Sequence, residues 1–77
     1  MTYGYSQLTV AANKSASRRL LGVTLGRACI ARGVPVSEVA SQFCVSRQTV
    51  YNWFSGKHEP KPHLVAAVKS FIASLAK

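Results

Sequence analysis

Seventy-seven residues make one small domain, near the lower end of what a single apolar core holds together. Ten Lys and Arg stand against only Glu38 and Glu59, a net charge of +8, yet 48% of the residues are hydrophobic and the mean hydropathy is +0.11. That balance excludes a disordered basic tail, which would be poor in apolar residues. It also excludes a spanning helix, since no apolar run approaches the ~20 residues a bilayer needs.

Residues 1–16 carry no helical period. Tyr3 and Tyr5, then Leu8 and Val10, alternate as a short strand would, so this segment reads as an N-terminal arm or edge strand. The start, MTYGYSQLTV, lacks the basic residues and long apolar stretch of a secretory signal. Residues 17–77 then read as the folded domain. From Arg18 to Arg32 the spacing predicts a helix capped by Ser17, with Leu21, Leu25, Ala28 and Cys29 on one face and Gly33 as its stop. A second stripe, Leu20, Val23 and Ile30, needs a cover, either the N-terminal segment folding back or a second subunit. Gly22 and Gly26 form a GxxxG, but Arg18, Arg19 and Arg27 around it rule out a transmembrane reading.

Pro35 opens a short helix whose inward face is Val39, Ala40 and Phe43, with Ser37, Glu38, Ser41 and Gln42 outward. Cys44-Val45-Ser46 makes a turn into the most informative stretch. There Val45, Val50 and Trp53 recur at near-helical spacing and point inward, while Arg47, Gln48, Tyr51 and Asn52 point out. Arg suits guanine in the DNA major groove, and Gln and Asn suit adenine. Tyr51 fits either a thymine methyl or rim packing. Ser46 has the chemistry of an N-cap, at a helix end where backbone N–H groups meet phosphate. The helix ends near Phe54-Ser55-Gly56. A basic loop, Lys57 to Pro62, leads into a last helix from His63 to Ala76, striped by Leu64, Val65, Val68, Phe71, Ile72 and Leu75. The expected fold is an all-α, compact four- to five-helix bundle.

Other chemistries find little footing. Fourteen residues separate Cys29 from Cys44, where zinc fingers use two to four, so with His58 and His63 no metal site is expected. Cys29 packs as a small hydrophobe, and two cysteines suit a reducing cytoplasm. Two carboxylates and two histidines at unrelated places offer no nucleophile–base pair, P-loop or dinucleotide motif, so neither catalysis nor a cofactor is expected.

The run from Leu21-Gly22 through Ala31-Arg32-Gly33-Val34, Val39-Ala40, VSRQTVYNW and Ser55-Gly56 resembles the helix-turn-helix family of phage Cro and repressor proteins, over about residues 18–76. The resemblance implies a bundle whose second and third helices form the DNA-binding unit. It implies that Ala40 lies at the helix crossing and that Val45 and Val50 pack the recognition helix. It further implies that Arg47, Gln48, Tyr51 and Asn52 face base edges, that Ser46 and Thr49 bond phosphates, and that Lys57, His58 and Lys61 approach the backbone from the following loop. Two positions depart from the family: Cys44 stands where Gly is common, and Pro35-Val36 replace a phosphate-binding Ser or Thr followed by Gln.

The function expected is a sequence-specific transcriptional regulator binding double-stranded DNA. It is read as a homodimeric phage-type or mobile-element repressor on an inverted repeat, in the cytoplasm of a bacterial cell or phage-infected host and nucleoid-associated, with no membrane partner. Two alternatives stay open: an antitoxin-type protein-binding partner that autoregulates, and an excisionase-like architectural factor. Candidate dimer surfaces are the Leu20, Val23, Ile30 stripe, the end of the last helix at Phe71 and Leu75, and strand pairing through residues 3–10. The N-terminal segment together with the last helix is favoured.

Overall fold

A computed structural model of the chain describes residues 7–17 and 19–76, and every regular element among them is helical. Helix α1 spans Gln7–Ser15, α2 Leu21–Arg32, α3 Val36–Phe43, α4 Arg47–Ser55 and α5 Val65–Leu75, with a 3-10 turn at Pro62–Leu64 leading into α5. The expected all-α bundle stands. No helix of the described residues is long and apolar enough to cross a membrane.

Left-handed residues end three of these helices. Gly33 follows α2 at φ 69°, and the next amide, Val34 N–H, reaches back to the Cys29 carbonyl at 2.9 Å. Gly56 ends α4 at φ 82°. Cys44 ends α3 at φ 55°, ψ 45°, with Val45 N–H donating to the Ala40 carbonyl at 3.0 Å. A side chain there crowds its own backbone by roughly 1–2 kcal/mol, while glycine in the unfolded chain gives back about 0.4–1 kcal/mol. Cys44→Gly is therefore expected to raise Tm by roughly 2–8 °C in a thermal melt. An unchanged or lower Tm would show that the turn carries no strain.

The expected arm or edge strand over residues 1–16 is corrected from Gln7 onward, where the chain is helical to Ser15. Tyr3 and Tyr5 lie outside the described residues. A polar anchor holds the segment Gln7–Ser15 as a helix against the body of the fold. Asn13 is buried at 1% exposure, and its amide donates to the carbonyls of Val23 (3.2 Å) and Phe54 (2.8 Å), binding α1 to α2 and α4. The carbonyls at the end of α1 are met by Arg27, whose Nη2 donates to Lys14 at 2.9 Å and to Asn13 and Ala16 at 3.3 and 3.4 Å. Val23 is fully buried and Ile30 half-buried, so the second stripe of α2 is covered by the N-terminal segment of the same chain.

Three boundaries shift. Helix α2 begins at Leu21 rather than Arg18, because the Ser17 hydroxyl accepts the Arg19 N–H at 3.3 Å in a local turn instead of capping the helix. Pro35 occupies the N-cap in extended geometry, its carbonyl accepting Glu38 and Val39 N–H at 3.1 and 3.2 Å, and α3 starts at Val36. The last helix divides, since the turn after Pro62 closes in 3-10 form, with Leu64 N–H on the Lys61 carbonyl at 2.8 Å.

The core gathers Leu25, Cys29, Val36, Val39, Ala40, Phe43, Val50, Trp53, Phe54 and Val68. Phe43 sits between Trp53 and Phe71 in edge-to-face contacts at 5.9 and 5.5 Å. The GxxxG of α2 is the seam on which α4 lies. A Cβ on Gly22 would come within 2.7 Å of the Trp53 carbonyl oxygen, and one on Gly26 within 2.8 Å of the Phe54 ring. The absence of side chains there lets α2 hold α4 at backbone distance.

Candidate nucleic-acid interface

Helix α4 begins where the sequence places its cap. Ser46 is extended (φ −75°, ψ 159°), and its Oγ accepts the Thr49 N–H at 3.1 Å. The two hydroxyls lie 2.9 Å apart and share one hydrogen bond. One hydroxyl proton of the pair therefore remains for an outside acceptor, at a helix end that already favours an anion. Val50, Trp53 and Phe54 are buried and fasten the back of α4 to the core. Trp53 lies in the core as its phase predicts. Phe54 is fully buried too and escapes the sequence reading, although its i+4 spacing from Val50 carries the signal.

On the opposite side Arg47, Gln48 and Tyr51 are exposed and Asn52 is half-buried. Gln48 Nε2 donates to Asn52 Oδ1 at 3.1 Å, joining the two amides one helical turn apart. The bond uses one donor and one acceptor. Gln48 keeps an N–H and its carbonyl oxygen, and Asn52 keeps its NH2 and a lone pair. Each amide thus still presents the donor–acceptor pair that the adenine edge requires.

Two grooves flank this row. One, of about 620 Å³, separates the start of α4 from the loop leading to α5, and Ser46, Thr49, His58, Lys61 and also His63 line it, with the acidic Glu59 among them. The other, of about 420 Å³, lies between α4 and α1, and Lys57 lines it together with Gln48, Tyr51, Asn52, Ser55 and Leu8. The five expected phosphate-contacting residues therefore divide, four on one flank and Lys57 on the other. His63, on the first flank, is an addition the sequence did not single out. The loop is tied to α4 through the Asn52 carbonyl, which accepts His58 N–H at 3.2 Å and the Ser55 hydroxyl at 3.3 Å.

Several cationic and sulfur residues fall elsewhere. Arg27 is spent on α1, Arg19 is exposed, and Arg18 lies outside the described residues. Val36 is buried at 7% exposure and serves the core. Cys29 is buried, and desolvation, reinforced by the charge of Glu38, pushes its thiol up to about 12, so it stays protonated and apolar. Cys44 is exposed at the turn.

A family model described as a homeodomain-like domain matches residues 13–59, more than half of the chain. The matched stretch runs from the buried Asn13 through α2, α3 and α4 to Glu59 in the following loop. No curated protein and no solved structure matches the chain.

Proposed function

This chain belongs to the homeodomain-like family of helix-turn-helix domains, and we propose that it is a sequence-specific DNA-binding regulator that lays α4 in the major groove. One observation carries the reading. A row of base-competent side chains, Arg47, Gln48, Tyr51 and Asn52, stands on the outer face of a capped helix whose inner face is locked in the core. An α-helix about 10–12 Å across fits a major groove about 12 Å wide, so the two strands would run along the flanks of α4. Ser46, Thr49, His58 and Lys61 serve one strand and Lys57 the other. With Arg47 on guanine and the Gln48–Asn52 pair on adenine, contacts to phosphate set the register and contacts to bases set the preference. The net charge of +8 supplies the salt-dependent attraction common to all duplexes.

The finer assignment, a dimeric repressor of phage or mobile-element type, rests on the resemblance of VSRQTVYNW and its surroundings to Cro and repressor proteins. Two copies would place their α4 helices about 34 Å apart on an inverted repeat and act by occupying a promoter, without catalysis. The end of α5, where Phe71 and Leu75 are half-buried, is the proposed dimer surface.

Arg47→Ala tests the base-reading role. The expected loss is about 1–3 kcal/mol on the preferred sequence and little on random duplex, measured by fluorescence anisotropy at fixed salt. Equal losses on both would assign Arg47 to phosphate.

A further inference from the structure

Among the described residues two large apolar side chains are exposed, Leu8 at 84% and Tyr51 at 39%, and both line the groove between α1 and α4. Gln48 and Asn52 lie in the same groove, Lys57 stands in its wall, and no acidic residue lines it. Apolar, amide and cationic groups in one cleft match the major-groove edge of a T·A pair, which offers a methyl group, hydrogen-bonding edges and a nearby phosphate. The position of Leu8 is fixed relative to α4 because α1 is anchored at Asn13 to the Phe54 carbonyl and capped by Arg27 from α2. A reading group needs that kind of rigid seat.

We infer that α1 is part of the DNA-reading surface and that Leu8, with Tyr51, receives the methyl group of a thymine beside the bases met by Gln48 and Asn52. The inference rests on α4 being the recognition helix. It extends the contacting surface to an element N-terminal to α2, α3 and α4 and gives the exposed leucine a ligand of defined chemistry. Continuity with the Gln48–Asn52 amides and the cation at Lys57 favour duplex DNA over a second protein as the occupant.

The test uses the full chain and its Leu8→Ala variant, on sites enriched from a random duplex pool. Each thymine of the enriched site is replaced in turn by uracil, which lacks the methyl group. At one thymine the replacement is expected to weaken wild-type binding roughly threefold to tenfold, as loss of a buried methyl does. Leu8→Ala should weaken binding by a similar factor and be markedly less sensitive than wild type to uracil at that position. Leu8 is so exposed that its truncation leaves the core intact, which the thermal melt of the variant would register. An enriched site tolerant of uracil throughout, or losses from uracil and Leu8→Ala that simply add, would overturn the inference while leaving α4 as the reader. A change of mass of the free protein with DNA binding unaltered would overturn it in favour of a protein contact. If wild type enriches no sequence at all, the reading of α4 fails and this inference with it.

Discussion

Phe54→Ala should remove about 3–5 kcal/mol of stability, a large share of the roughly 4–12 kcal/mol that 77 residues provide. Among the described residues Phe54 is the largest fully buried side chain, and it sits where three helices meet. Its ring lies against Gly26 of α2, and its carbonyl holds the amide of Asn13 from α1. Truncation would open a cavity at that junction, and the glycine opposite has no side chain to fill it. Denaturant unfolding followed by circular dichroism gives the loss directly. Phe54→Leu, which keeps most of the volume, should cost about 1.5 kcal/mol or less. Equal losses from the two variants would mean that the ring does not fill the junction in the way described.

The second large effect is expected on the paired amides. Gln48→Ala and Asn52→Ala should each cost about 1–3 kcal/mol on the preferred site, by loss of contact to an adenine edge. The double variant should cost about 2–5 kcal/mol, less than the sum, because the Gln48–Asn52 hydrogen bond makes each amide orient the other. Binding to random duplex should change little in all three variants, since the amides carry no charge. Losses that add within error would show that the two side chains read the duplex independently.

The contrast between α4 and α1 explains what could be read from the chain. Helix α4 announces itself because its cap, its apolar positions and its polar positions all follow rules that act within a few residues. Ser46 bonds Thr49, and Val50 and Trp53 turn inward, as spacing alone predicts. Helix α1 is invisible to the same rules. Its buried anchor is an asparagine rather than an apolar residue, and its C-terminal carbonyls are satisfied by Arg27, more than ten positions away. Leu8 and Val10 alternate, and alternation over so few residues does not separate strand from helix. The second stripe of α2 showed that some cover was required, and only the tertiary structure identifies it as α1.

Similar limits apply at the site. The outer row of Arg47, Gln48, Tyr51 and Asn52 lies on one helix and is legible from its period. The two flanking grooves are made by elements distant in sequence, so the separation of Lys57 from His58 and Lys61 follows from packing. The left-handed Cys44 is an intermediate case. The helix-turn-helix pattern places a tight turn there, and the structure holds it with a residue that does not favour the conformation.

Helix α4 is proposed to read base sequence. Selection of bound sites from a random duplex pool at near-physiological salt tests it most directly. The expected result is an enriched sequence containing guanine and adenine contacts that weaken on Arg47→Ala and on the Gln48 and Asn52 variants, arranged as an inverted repeat if two copies bind together. Binding to the pool with no sequence enriched would contradict it and leave a protein that grips only the phosphate backbone.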